Sequence, residues 1–338
     1  MITSEEVKQF LRDTCEVEVA GIAPATSFST DDKKRIVATL ETLGQANQRM
    51  GNANVFDASD FVDDAKAVIV FGRNSFFGMN PFTENDGPHG AIGNFYLNQN
   101  ILNRAVAQSD QTIEFLKAKG FNAESPFTGF PQKIKALEAG IGIQGNNTLV
   151  LNRKLGSWIS LSTIITDAPL ETDNPLKGDC GECTRCIDAC PTGALSTSNS
   201  FRVDQCIIYY LCHLKADIPL EARNKIGVRT GNCTVCSDVC PYNKKLTINE
   251  RDKLPDETIY PELIPMMNVS EEEYETKYGS TMFGFIMGGR RYLRRNIAVA
   301  LGNAGDKKAL PCLEVAAKDE DILVSSHASW AIENIKGL

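Results

Sequence analysis

The chain has 338 residues, 42% of them hydrophobic and 23% charged, the balance of an ordinary globular protein with material for two or three domains and a sizeable core. Its formal net charge of -8 gives no bulk electrostatic reason for binding nucleic acid, so only a local basic patch would provide one. No run of eighteen apolar residues occurs, and the opening MITSEEVKQFLRD reads as an amphipathic helix; no membrane partner and a cytoplasmic location are expected.

After this helix, Val17 to Ile22 alternates as a strand does. A second helix starts at Ser29 or Thr30, with Asp31 and Asp32 in its first turn and Ile36, Leu40 and Leu43 on one face. Ala65 to Gly72 is a nearly continuous apolar run, expected as a central strand covered on both faces. The segment from Arg73 to Gly93 is rich in Gly, Asn, Pro and Phe and too long for a plain connection. It is expected to be a functional loop or lid, with His89 in it as a solvent-exposed polar residue. A long helix covers 96–119 and stops at Gly120. Phe121 to Ser125 reads as a short strand, Gln132 to Ala139 as a helix, and Thr148 to Leu151 and Ile159 to Thr166 as strands. Gly140, Gly142 and Gly145 have dinucleotide-fold spacing, but a helix precedes them and a strand follows, the reverse of what that fold needs. They instead let backbone approach either a bulky cofactor or a neighbouring strand.

Chemistry concentrates between 180 and 240. Cys180, Cys183, Cys186 and Cys190, followed by Pro191, form the C-x2-C-x2-C-x3-C-P run of bacterial ferredoxins. Cys233, Cys236 and Cys240, followed by Pro241, form a second run without its leading cysteine, and Cys206 stands between the two. In two-cluster ferredoxins the last cysteine of each run ligates the other cluster. That rule assigns one [4Fe–4S] cluster to Cys180, Cys183, Cys186 and Cys240, and a second to Cys190, Cys206, Cys233 and Cys236. Disulfides and structural zinc are the competing uses of such cysteines, and neither accounts for both prolines and the count of eight. Cys212 is the one alternative to Cys206, and Cys15 and Cys312 are left as reduced thiols. Helical patterns follow from Glu271 onward, and those over 290–303, 307–317 and 322–335 look like HEAT-type pairs. Arg290, Arg291, Arg294 and Arg295 are the only dense basic cluster in the sequence, either a solvated helix face or the place where a phosphate backbone binds.

Several strings together resemble the epoxyqueuosine reductase family, cobalamin-dependent iron–sulfur enzymes related to reductive dehalogenases. They are Gly140 to Thr148, Gly156-Ser-Trp158, Thr166 to Glu171, both cysteine groups with Cys206 between them, Cys190 to Ala194, Cys240-Pro-Tyr-Asn243 and Arg295 to Asn303. The resemblance implies an α+β multidomain chain: an α/β cobalamin-binding substrate domain over 1–170, a two-[4Fe–4S] ferredoxin domain over 171–248 and a HEAT-like helical region over 249–338. It implies that Gly140, Gly142, Gly145, Asn147, Thr148, Gly156, Ser157 and Trp158 bind the corrin, held base-off with no protein axial ligand. The implied reaction converts epoxyqueuosine to queuosine in tRNA. Electrons from a low-potential donor such as ferredoxin or flavodoxin pass through both clusters to cobalt, and an acid protonates the departing oxygen. The family's aspartate ahead of the glycine motif is missing here, and Asn146 stands where the family has lysine. Glu124, in Asn122-Ala-Glu-Ser-Pro126, and Tyr96 are the candidate catalytic groups. These departures keep two alternatives open: a cobalamin and iron–sulfur reductase of another substrate, dehalogenase-like or corrinoid-reactivating, and an electron-transfer protein without catalysis of its own.

Overall fold

The computed structural model describes residues 2–46, 57–82, 86–126, 130–197 and 200–337. At its start the Glu6 amide donates to Thr3 Oγ1 (3.2 Å) and the Thr3 amide to Glu6 Oε2 (2.8 Å), a capping box that opens α1 (Ser4–Asp13). There follow β1 (Val19–Pro24), α2 (Thr30–Ala46), β2 (Ala67–Asn74), α3 (Asn94–Leu97), α4 (Gln99–Ala118), β3 (Ala123–Glu124), α5 (Gln132–Glu138), β4 (Ile143–Gln144), β5 (Val150–Leu151) and β6 (Ile159–Thr166). Four strands in the order β1-β2-β6-β3 make one sheet, antiparallel at every pairing. On β2, Ile69 and Phe71 pack with Val7, Leu11 and Leu116 of α1 and α4, while Val68 and Val70 pack with Ala136 of α5 and Phe130. Each such burial contributes ~1.5–3 kcal/mol, which explains why the central strand shows no polar alternation. The helix expected over 96–119 is interrupted at Asn98, whose side chain accepts the Asn100 amide (3.0 Å) and caps α4.

The cysteine-rich unit holds α6 (Arg185–Asp188), the hairpin of β7 (Leu195–Thr197) and β8 (Ser200–Phe201), a π-helical turn over Tyr209–His213, α7 (Leu220–Ile226) and α8 (Val235–Asp238). The chain finishes with α9 (Asp256–Ile259), α10 (Leu263–Met266), α11 (Glu271–Tyr274), α12 (Met282–Met287), α13 (Arg290–Ala304), α14 (Leu310–Ala316) and α15 (Ile322–Lys336). Their core takes in Ile92 and Leu97, so the long connection after β2 is anchored at its far end to the C-terminal helices. Among the described residues no helix is long and apolar enough to cross a membrane, and all eleven cysteines are free.

The arginines at the start of α13 each find partners from other parts of the fold, Arg291 while remaining exposed. Arg290 pairs with Glu271 (2.8 Å), Arg291 with Asp321 (2.8 Å) and Arg294 with Asp319 (2.5 Å). Arg295 is 0% exposed and donates to the carbonyls of Tyr210, Leu214 and Ala216 at 2.7–2.8 Å. The five donors of a guanidinium suit this clamp, and the acidic partners lie 19 to 30 residues away in sequence, outside any local charge pattern.

His327, also 0% exposed, accepts the Ile218 amide at Nε2 (3.1 Å), and its Nδ1 donates to Leu323 O (2.7 Å). Accepting at Nε2 requires the neutral ring. Burial first, then Arg223 and Arg295 against the Leu323 carbonyl, lowers its pKa to about 3, and the mostly exposed Asp217, 4.0 Å away, does not reverse this. An unfolded histidine titrates near ~6.5. Between those values the unfolded chain binds the extra proton, so stability falls with pH, by about 2 kcal/mol from pH 7 to pH 5 for this group. Urea unfolding at both pH values should show this loss diminished in His327→Gln; an undiminished loss would place its origin elsewhere.

Candidate active site

The two cysteine loops fold alike. A threonine precedes each four-residue helix, and its hydroxyl donates to the aspartate four residues on: Thr184 to Asp188 and Thr234 to Asp238, both at 2.7 Å. Pro241 opens a 3-10 turn over Pro241–Asn243, where its missing N–H is no loss. α6 and α8 pack together, which carries the last cysteine of each run to the other group. Burial raises the Cys240 thiol, as do the neighbouring Cys180 and Cys183; burial also raises Cys186, with Cys180 and Cys240 beside it. Cys206 is raised by burial and then by Cys233 and Cys190. Cys236 is pushed up to about 12 by burial, then by Cys233, Cys206, Cys186 and Cys190. The thiols therefore gather as Cys180, Cys183, Cys186, Cys240 and as Cys190, Cys206, Cys233, Cys236, with Cys186 and Cys236 where the groups meet. Iron cations reverse repulsion of this kind. Among the described residues no three ligand-type side chains converge tightly enough for one ion. Cys212 instead donates to Gly231 O (3.4 Å) in the interior.

The β4–β5 hairpin touches both sets. The Asn146 amide donates to Cys180 Sγ (3.4 Å) and its side chain to Cys183 O (2.8 Å), while the Asn147 side chain donates to Cys236 O (3.4 Å). A Cβ on Gly142 would lie 2.5 Å from Leu151 O, and one on Gly145 2.6 Å from Asn147 Oδ1. Gly142 thus allows close approach to β5, and Gly145 to Asn147 of the turn. Gly156, at φ +57, would drive a Cβ into Asn243 Oδ1, the atom that accepts the Ser157 amide (2.9 Å).

A cavity of about 920 Å³ opens between the sheet, the cysteine unit and the segment ahead of α4. Phe77, Phe130, Ile134, Trp158, Ile159 and Leu161 give it apolar walls, and Thr234 and Asp238 of the second cysteine loop line it as well. Of the expected corrin residues, Ser157 and Trp158 line this cavity; Gly140, Gly142, Gly145, Asn147, Thr148 and Gly156 do not. Lys133 does. It is reached by solvent yet walled by protein, and the loss of hydration lowers its pKa, with Cys236 opposing. Tyr96, half-buried at the wall, is raised by burial and then by Cys212 and Cys206. Burial raises Asp238 as well, against its bond from Thr234 and the charge of Arg229. Tyr260 is pushed up to about 12 by burial, then by Asp238 and Asp256.

Two expectations change here. His89 lines the cavity, half-buried and stacked on Phe82 with centroids 4.0 Å apart, instead of standing in solvent. Glu124 pairs opposite Ile165 at the sheet edge and is exposed. Leu161, where β6 meets the cavity, is four residues back along the strand, about 14 Å away. Lys133, Arg229, Asp238 and Tyr260 carried no signal in the sequence apart from Asp238, which is legible as the counterpart of Asp188. A single chain does not reveal that one of two matched aspartates turns to a cavity.

A 4Fe-4S double cluster binding domain matches residues 179–243. The epoxyqueuosine reductase of Lactococcus garvieae is 36% identical over 206 residues, covering 60% of this chain and 57% of that one. That of Escherichia coli is 36% identical over 248 residues, 72% of this chain and 64% of that one. A crystal structure of epoxyqueuosine reductase with an epoxyqueuosine-modified tRNA stem loop matches at a TM-score of 0.85 and 27% identity, over 98% of this chain and 89% of that chain. Over these lengths the chain is similar to the epoxyqueuosine reductases. The sequence match spans less than two thirds of either curated relative, while the structural match to the epoxyqueuosine reductase fold takes in the sheet and the C-terminal helices along with the cysteine domain.

Proposed function

We propose that this chain reduces an epoxide carried on a tRNA stem loop, epoxyqueuosine to queuosine, with electrons supplied through two [4Fe–4S] clusters and a cobalamin seated in the cavity. The observation that carries this reading is the shared wall: Thr234 and Asp238, from the loop of Cys233 and Cys236, line the 920 Å³ cavity. A carrier held by those cysteines lies against whatever fills the space. The relative solved with an epoxyqueuosine-modified stem loop supports the substrate. The C-terminal helices are read as a HEAT-type stack, and the domain limits as 1–170, 171–248 and 249–338.

The cavity suits a corrinoid in character, with broad apolar faces from Phe77, Phe130, Trp158 and Leu161 and edge hydroxyls from Ser157 and Ser160 for carboxamides. When bound, cobalamin supplies a cobalt centre reducible at low potential. His89 is engaged by Phe82 and by Gly87 O (3.3 Å), in keeping with base-off binding and no protein axial ligand. Loss of the epoxide oxygen as water takes up two electrons and two protons. The loop of Cys180 and Cys183 carries exposed Gly181 and Glu182, so a ferredoxin- or flavodoxin-type donor delivers electrons there, and the Cys190, Cys206, Cys233, Cys236 set stands next to the cavity. Lys133 Nζ and the Tyr96 hydroxyl hold protons at the wall; the depressed pKa of Lys133 makes it the better donor near neutral pH.

The test is anaerobic. The reconstituted protein, given hydroxocobalamin and desalted, should retain about one cobalt beside its iron and reduce an epoxyqueuosine stem loop; iron without cobalt would reduce the chain to an electron carrier. Lys133→Met should lower kcat about 100-fold with cobalt and iron unchanged, and an unaltered kcat would remove Lys133 as the proton source.

A further inference from the structure

The fold assembles a basic surface that no local run of the sequence displays. Asn152 and Gly156 pair across a turn, with both amide-to-carbonyl bonds at 2.9 Å, and Arg153 and Lys154 are exposed at its tip. This turn is stitched to the one after Cys240: Asn243 accepts the Ser157 amide (2.9 Å) and donates to Ser157 Oγ (2.8 Å) and Ser237 O (2.7 Å). Lys244 and Lys245 follow Asn243 directly, both exposed. Four cations from segments some ninety residues apart thus lie on two joined turns, and among the described residues none of them has an ion-pair partner, in contrast to the arginines of α13.

This quartet flanks the cavity. The segment leaving it is held beside Ser75 and Phe77 of the cavity wall, where Asn74 donates to Thr247 O (2.8 Å) and the Asn249 amide to Phe76 O (2.8 Å), and Ser157 and Trp158 at its base line the cavity itself. Unspent apolar groups border the same region: Tyr242 is 37% exposed, and Phe95 and Met79 of the cavity lining are 44% and 54% exposed. Unpaired cations track a phosphate backbone, and exposed aromatics stack on bases that leave a loop. On a chain of net charge -8, unspent cations concentrated beside an apolar mouth specify where a polyanion docks.

We infer that Arg153, Lys154, Lys244 and Lys245 form the docking surface for the phosphate backbone of an RNA stem loop, whose loop nucleotide enters the cavity past Phe95 and Met79. The inference rests on the RNA substrate proposed above and adds the surface that receives it.

The experiment compares the cluster-loaded, full-length protein with the Arg153→Gln/Lys154→Gln/Lys244→Gln/Lys245→Gln variant, reading fluorescence anisotropy of a labelled tRNA stem loop from 50 to 250 mM salt. Each phosphate contact contributes ~0.7–0.9 to the slope of log K against log salt. The variant's slope should therefore be smaller by about 3, while Arg290→Gln/Arg291→Gln keeps the parent slope. Iron content and visible absorbance equal to the parent's show that the variant is intact. Equal slopes for parent and quadruple variant overturn the surface and leave the RNA substrate standing. A parent protein that binds no stem loop at any salt overturns both.

Discussion

Replacing Cys206 with alanine should halve the iron bound by the reconstituted protein, from about eight to about four per chain, and abolish reduction of the stem-loop substrate. Cys206 is the one assigned cysteine outside a C-x2-C run, so its place depends on tertiary structure. A 3-10 turn over Val203–Gln205 precedes it, its amide donates to Val203 O (3.1 Å), and burial and the adjoining Cys233 and Cys190 raise its thiol. Without it the set beside the cavity has three thiols, while Cys180, Cys183, Cys186 and Cys240 keep theirs. The loss falls on the inner carrier, so electrons accepted at the outer one have no onward site. Iron and sulfide analysis after anaerobic reconstitution decides the matter, with Cys212→Ala as the comparison that should keep full iron. Equal iron in Cys206→Ala and the parent would move the fourth ligand elsewhere.

Arg295→Met should cost about 3–5 kcal/mol of stability, the largest single-residue loss expected outside the cysteines. The π-helical turn Tyr209–His213 and the residues after it leave carbonyls without helical partners, and Arg295 satisfies those of Tyr210, Leu214 and Ala216 from the neighbouring helix. Burial lowers its pKa to about 10, so it stays charged at neutral pH, and methionine of similar length removes the charge while leaving the carbonyls dry. Arg295→Lys restores charge but not the fork and should recover only part of the loss. Urea midpoints compare the three proteins; a loss below about 1 kcal/mol would mean that water replaces the guanidinium. Because the clamped turn begins three residues after Cys206, the weakened variant should also release iron from the inner set first.

The elements with a strong period or a covalent logic were legible in the chain itself. The β2 run, α5, β6 and the C-terminal helices stand where periodicity places them, and the ferredoxin spacing carries the proposed division of the eight cysteines into two ligand sets. The apolar β2 run suggested a strand between helix layers and indeed lies there, but in an antiparallel sheet, because burial on both faces erases alternation whatever the strand direction. What was not legible depends on pairs distant in sequence. Nothing near Arg294 announces Asp319, nothing near Lys154 announces Lys244, and the glycines of 140–145 look the same whether a cofactor or a strand lies against them. Lys133 illustrates the limit most plainly, since its neighbour Lys135, two residues on, is spent on the carbonyls of Pro24 and Thr26 and on Glu138.

Asn146 and Asn147 sit side by side on one tight turn, and each holds the backbone of a different cysteine group. A single hairpin of the sheet domain thus acts as a fixed gauge between the two carriers and the chamber they serve. Interdomain breathing, the ordinary behaviour of a multidomain chain, would carry carriers and chamber together and leave the gap across which an electron must tunnel unchanged. Under the proposed function, the wiring would stay constant while the mouth above it admits and releases a large polymer.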